Sequence, residues 1–483
     1  MLIFVDRQGI IVRGKMNGRR LYMRVRIQVA EIWHIRNVAH GEILFPCNLK
    51  ENIFALSSDV IGIYGQNGSG KTTFIRALEI LKTLLSGLPI GQTVKDDISI
   101  GSESIKMKFE FSVENDCDRK YRAVYAVEIG KDYLNESVKA AVLGEDRKFT
   151  RLKQVLSSDS SNTKQVVLPS DKRTEIFGKD SQDLDELRVA KMLCAKEHRS
   201  FLFSDEVHKL MKKRSSDTVW NEIFTALHNF GVDGLFVINN RSSGLISVEA
   251  GLPFNFRTDT ALGAFALPMD RPVVLPQKEF DVMKQVIDTI NVVLREIIPG
   301  MELSFTVFGK ELLENGKQGV RIQLVRLRKQ DGVIISTKIP LRCESEGIKK
   351  IISFLHLFIV TYNSPDVTLA IDELDSGIFE HLLGELLRIM QDSGKGQLIF
   401  TSHNLRPLEV LERNSIVFTT TDRENCYTRR TNLKPSNNLR HCYYRDITLG
   451  SDEEELYEET SSIEIAHAMR RVGSVARRTA EGM

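Results

Sequence analysis

The octapeptide Gly65 to Thr72, GQNGSGKT, follows the pattern GxxxxGK[ST], and each residue type in it suits one chemical task. Glycines let a backbone wrap close to phosphate oxygens, and the amides of a loop that opens a helix point at negative charge. The expected nucleotide-binding residues are Gly65, Gln66, Asn67, Gly68, Ser69, Gly70, Lys71, Thr72 and Thr73. The Lys71 ammonium is suited to reach β and γ phosphates, and the Thr72 hydroxyl to hold Mg²⁺ beside ATP.

Such a loop needs a carboxylate for the metal and a means of activating water. The run VTLAIDE, ending at Glu373, supplies both at the close of an apolar strand. Asp372 is the expected metal ligand beside Thr72, and Glu373 the residue that orients or deprotonates the attacking water. Asp375 follows at once, and QLIFTSHN ends another apolar strand with His403. A histidine at the C-terminal end of a parallel strand faces the ligand crevice of an open α/β sheet. One further segment, CESEGIKKIISFLHLF, opens with Ser345, Glu346 and Gly347 and continues as an apolar helix. Taken alone, Ser345 is a helix N-cap; a helix start is also an anion site.

Positioning these residues requires α/β alternation around a mixed sheet. DVIGIYGQNGSGKTTFIRALEILKTLL reads as strand, loop, helix, and VTLAID, FEHLLGELLRIM and QLIFTSH as strand, helix, strand. Between them, SIKMKFEFSV and YRAVYAVEIG predict an antiparallel, β-rich lobe, and DLDELRVAKMLCAKEH and DEVHKLMKKR predict helices. FDVMKQVIDTINVVLREI reads as one amphipathic helix, and Ser304 to Lys338 as two or three strands. The expected divisions are a basic extension at 1–22, a first part of the core with the β-rich lobe at 23–180, a mainly helical insertion at 181–275, a second part of the core at 276–425, and a tail or docking segment at 426–483.

Composition narrows the classes. The 483 residues carry a formal net charge of +2, so the whole chain is neither a nucleic-acid coat nor a membrane-surface protein by charge. Six cysteines without a CxxC pair predict reduced thiols in a cytoplasmic protein. The longest apolar runs, such as Ile351 to Val360, fall short of the roughly 20 residues a spanning helix needs, and MLIFVDRQG lacks the pattern of a signal peptide. Local charge collects at the ends: Arg7, Arg13, Lys15, Arg19 and Arg20 near the start, DEEELYEE at 452–459, then Arg470, Arg471, Arg477 and Arg478. A solvated tail and a docking element both suit the last segment.

The order of phosphate loop, Ser-Glu-Gly, Asp372-Glu373, Asp375 and His403 resembles the ABC-type ATPase heads, more distantly those of the SMC and RecF groups. That resemblance implies a Mg²⁺-dependent ATP hydrolase of P-loop fold that works as a head-to-tail homodimer or higher oligomer. Ser345, Glu346 and Gly347 would contact the ATP of another subunit, with Asp375 at the dimer seam and Glu373 and His403 as catalytic residues. Glu346 stands where transporters usually have glycine. ESEGIKK looks instead like the motif of the OLD-like and abortive-infection ATPases, similar to the subunits of Septu and PARIS systems. This second likeness implies a sensor ATPase in anti-phage defence, controlling a separately encoded nuclease or toxin and answering a phage-derived trigger. A RecF-like repair ATPase that meets DNA, and a nucleotide-gated scaffold, are the alternatives. No long heptad run supplies coiled-coil arms, and residues 404–483 carry no convincing Toprim nuclease set.

Overall fold

In the computed structural model, all residues are described except 1–10, 14–22, 50–52, 163–165, 178–179, 214–218, 240–245, 247–250, 259–260, 314–315, 331–332, 431–437, 450–454, 458–460 and 482–483. Most of the basic N-terminal run and much of the acidic run at 452–459 therefore lie outside the described residues.

The central sheet is a run of short strands rich in Val, Ile and Leu. Its order is Tyr427–Thr428, Ile416–Thr419, Asp59–Tyr64, Gln397–Thr401, Thr368–Ile371 and Leu235–Ile238. All neighbours are parallel except the two-residue Tyr427–Thr428. Parallel strands are apolar on both faces because both faces are covered, and alternate residues here enter two different cores. Ile61, Ile63, Ala370, Ile399 and Val417 face one, under the helix Lys71–Leu85 and the antiparallel lobe. Val60, Tyr64, Leu369, Ile371, Leu398 and Phe400 face the other, under the helices Gln277–Ile297, Glu346–Asn363 and Glu380–Ser393.

The β-rich lobe is a six-stranded antiparallel sheet in the order Val38–Leu44, Met23–Ile35, Ser104–Asn115, Lys120–Gly130, Leu134–Val142 and Lys153–Asp159. The helical block runs through Ser181–Glu197, Asp205–Lys213 and Val219–Asn229. It ends sooner than the expected insertion: Leu235–Ile238 returns to the edge of the central sheet, and Leu252–Arg257, Leu262–Leu267 and Val273–Pro276 are strands. Leu235, Phe236 and Ile238 are short, apolar and buried, a run whose periodicity does not separate strand from buried helix.

One polar knot fixes the sheet at the end away from the phosphate loop. Asp59, fully buried, accepts from Arg26 Nη2 at 3.0 Å, from the Cys47 amide at 2.8 Å and from Gln397 Nε2 at 3.1 Å. Gln397 in turn pairs with both backbone groups of Ile27 at 2.8 Å. A buried ion pair is tolerated when most of its remaining lone pairs and protons are satisfied; here the Asp59 oxygens and both terminal Arg26 nitrogens have partners, and Arg26 Nε has none.

Candidate nucleotide site

The parallel strands all end on one side, so Gly65, Asp372 and Ser402-His403 leave the sheet side by side. Gly65, Gly68 and Gly70 have φ of 156°, 80° and 109°, conformations open to glycine at little cost. Gly65 is fixed by space as well: a Cβ there would come within 1.7 Å of Thr419 Oγ1. The loop is braced from behind by Asn37, which bonds the Gly68 carbonyl and accepts from Thr73 Oγ1 at 3.1 Å, and by Tyr427, whose hydroxyl donates to the Gly70 carbonyl at 2.9 Å. Thr73 thus commits its hydroxyl to the protein.

Lys71 is buried and its Nζ donates to the carbonyls of Gly65 and Gln66 at 2.7 and 2.8 Å, curled across its own loop. Burial lowers its pKa, and the charges of Asp372, Glu373 and Asp375 act the other way. A cleft of 790 Å³ flanks the loop, lined by Arg36, Asn37, Gln66, Asn67, Ile100 and Arg423 among others. Its wall combines cations, amides and an exposed Ile100, a surface on which a phosphorylated, flat heterocycle can sit.

Thr72 and Asp372 meet: Thr72 Oγ1 donates to Asp372 Oδ1 at 3.2 Å. Thr401 Oγ1 donates to the same oxygen at 2.6 Å and accepts the Glu373 amide at 2.7 Å, so one hydroxyl sets both carboxylate residues. Burial pushes the Asp372 carboxyl above the usual carboxylate range, against the pull of Thr401 and Thr72. Its second oxygen, Oδ2, is buried with no hydrogen-bond partner. An orphaned carboxylate oxygen beside a threonine hydroxyl fits a Mg²⁺ ion, which takes one or two protein oxygens and keeps the rest for water and phosphate. Among the described residues no group of three or more His, Cys, Asp and Glu offers a dedicated metal cage.

Glu373 is half-buried and adopts φ of 49°, a left-handed conformation that costs a non-glycine residue about 1–3 kcal/mol and persists only where neighbours impose it. Its carbonyl accepts from the Ser376 amide at 3.1 Å and from the Lys350 ammonium. Asp375 Oδ2 accepts the amides of His403 and Asn404 at 3.1 and 3.0 Å, tying the two strand ends, while the His403 ring is exposed.

The Ser-Glu-Gly segment divides. Ser345 is the N-cap of Glu346–Asn363, its hydroxyl accepting the Ile348 amide at 3.3 Å, and Ser345 and Glu346 are exposed. Gly347 is buried against the backbone of Gly377, where a Cβ would lie 1.8 Å from the Gly377 carbonyl oxygen. The sequence pattern missed Thr401, Asn37, Tyr427 and Lys350 as site residues. Lys350 carried the clearest signal, a cation at position i+3 from Gly347 and i−4 from Phe354 within a mostly apolar helix.

Residues 60–220 match the family model described as "AAA domain, putative AbiEii toxin, Type IV TA system". No curated protein sequence matches the chain. Among solved structures, the chain is similar to the SMC head domain from Thermotoga maritima, at 13% identity over 84% of this chain and 99% of that one, with a TM-score of 0.37. A Pyrococcus furiosus Smc head domain with an extended coiled coil, bound to the C-terminal domain of ScpA, has 11% identity over 84% and 96%, with a TM-score of 0.39. The recombination mediator protein RecF with ATP has 12% identity over 79% and 94%, with a TM-score of 0.33. The parallel sheet with the phosphate loop at the C-terminal ends of its strands makes this a P-loop NTPase fold. No described helix is long and apolar enough to cross a membrane.

Proposed function

We propose that the protein is a Mg²⁺-dependent ATP hydrolase that acts as a head-to-tail homodimer or larger assembly. The observation that carries this reading is the buried, unpartnered Asp372 Oδ2 next to Thr72, with Glu373 fixed to the same threonine that orients Asp372. Thr72 and Asp372 would hold the ion, which neutralises charge on the β and γ phosphates when bound. Lys71 leaves its loop carbonyls for the phosphates, the amides of 66–72 orient them, and Glu373 accepts a proton from the water it aligns. His403, exposed at the same edge, reaches toward the γ-phosphate region, and Asp375 holds the turn that presents it.

The exposure of Ser345 at a helix N-terminus supports a contact with nucleotide held by a second copy. The description matched by residues 60–220 names a putative AbiEii toxin of a type IV TA system, which hints at abortive infection; sensing of a phage-derived trigger and control of a separately encoded nuclease or toxin are the further parts of this proposal. Glu373→Gln tests the reaction: nucleotide affinity stays, and steady-state phosphate release falls at least a hundredfold. Turnover equal to wild type removes Glu373 from the chemistry, and a wild-type protein that binds ATP without releasing phosphate removes the hydrolase reading altogether.

A further inference from the structure

The helix that carries Ser345 is fastened at two points to the turn that carries Glu373. At the first, Gly347 lies directly on the Gly377 carbonyl, too close for any side chain. At the second, one turn further along, Lys350 is 6% exposed and its ammonium donates to the main-chain carbonyl of Glu373. Asp372 Oδ2 and Asp375 Oδ1 are both buried without partners in the same turn, and the charges of Asp372, Glu373 and Asp375 all act on Lys350. A lysine normally keeps its charge in water; here Lys350 is buried beside Lys349, and while Lys349 donates to the Arg342 carbonyl, Lys350 reaches the carbonyl of the catalytic turn. That carbonyl belongs to the residue whose left-handed φ of 49° needs outside support.

We propose that Lys350 is a positioning residue that fixes the aim of the Glu373 side chain and couples it to the seating of the Ser345 helix. The inference rests on the hydrolase reading above. The Lys350 bond and the Ser376 amide together close the turn at the Glu373 carbonyl. A small displacement of the helix, such as docking of Ser345 on a second copy's nucleotide, is therefore passed to the Glu373 main chain within the same protomer. Each protomer's water-activating residue then responds to what its own Ser345 touches, so the two sites of a dimer report on each other. The coupling needs no motion of the phosphate loop, and ATP affinity is left to Lys71 and the loop amides.

Two substitutions test this. Lys350→Met keeps the length and apolar stem and removes the donor, whereas Lys350→Arg keeps a donor. The Met variant is expected to bind ATP within threefold of wild type and to lose about a hundredfold in kcat, the penalty of a misaimed group, with KM little changed. The Arg variant should recover at least tenfold of that loss. A separate readout uses the nucleotide-free protein: hydrogen exchange at the Leu374 and Ser376 amides should quicken about tenfold in Lys350→Met, with the Gln397–Thr401 amides unchanged. Unchanged exchange at 374 and 376 overturns the proposal whether or not the wild type hydrolyses ATP. So does a Met variant with kcat within threefold of wild type, or equal losses of kcat and ATP affinity in both variants. Absence of turnover in the wild type, with exchange altered as expected, counts against the hydrolase reading and leaves the positioning role supported.

Discussion

Thr401→Val isolates the hydroxyl on which the carboxylate pair depends. Valine preserves the shape of the side chain and the parallel strand, and it removes a donor at 2.6 Å from Asp372 Oδ1 and an acceptor at 2.7 Å from the Glu373 amide. A hydrogen bond to a charged group contributes about 1.5–3 kcal/mol, and a half-buried amide left without an acceptor costs about 1–3 kcal/mol. The added methyl returns about 0.8 kcal/mol of apolar burial, so the net destabilisation is about 2–5 kcal/mol. With Asp372 held only by Thr72 and the Glu373 turn released, turnover should drop about a hundredfold, while ATP affinity, set by the loop and Lys71, stays near wild type. Thr401→Ser keeps the hydroxyl and loses a single buried methyl, so it should cost about 1 kcal/mol and little activity. Urea denaturation and steady-state phosphate release, measured on both variants, decide the matter. A valine variant within about 0.5 kcal/mol of wild type and within threefold of its turnover would refute the claim that Thr401 orients the pair.

Gly347→Ala places a methyl on the Gly377 carbonyl oxygen, and the isolated, nucleotide-free protein should lose about 1–3 kcal/mol in denaturant titration. If the glycine serves only nucleotide on a second copy, that titration will not move. Acid stability should report His208, whose pKa is lowered to about 4 by burial, with His228 and Lys212 adding to the effect. A depressed histidine contributes stability that is complete above its unfolded pKa of about 6.5 and is lost as pH falls towards about 4. Its partial exposure limits the effect to on the order of 2 kcal/mol. His208→Gln should flatten the denaturation curve in that window, and an unchanged slope between pH 6.5 and 4 would show that the imidazole is not held neutral.

Much of the site was legible because phosphate and metal chemistry demand particular residue types at fixed spacing. GQNGSGKT and VTLAIDE each sit where one strand ends, and a strand end is also a sequence-local event. The brackets around them were not legible. Thr401 and Tyr427 reach the carboxylates and the loop from strands, and Asn37 from a hairpin turn, all distant in sequence, and single polar residues of common type carry no signal until pairing places them. The helical block was readable from 3.6-residue periodicity up to Asn229. Its end was not, because Leu235–Ile238 is four apolar residues long, and such a run acquires its strand identity only from Thr368–Ile371 beside it. Gly347 showed the opposite failure: its type was noticed, but the nearest reason for it is a carbonyl of the same chain.

The Asp59 knot sets a schedule for synthesis. Asp59 and Gln397 stand 338 residues apart, and at 5–20 residues per second the ribosome needs roughly 20–70 s to deliver the second after the first. Throughout that interval the phosphate-loop strand has neither of its parallel neighbours, since Gln397–Thr401 and Ile416–Thr419 are both still unmade. The antiparallel lobe, whose six strands all fall between residues 23 and 159, can pair long before. Nascent chains therefore pass through a stage with a formed lobe, an Arg26–Asp59 pair that lacks its Gln397 donor and two open strand edges, the stage at which chaperone capture or aggregation competes with completion of the fold.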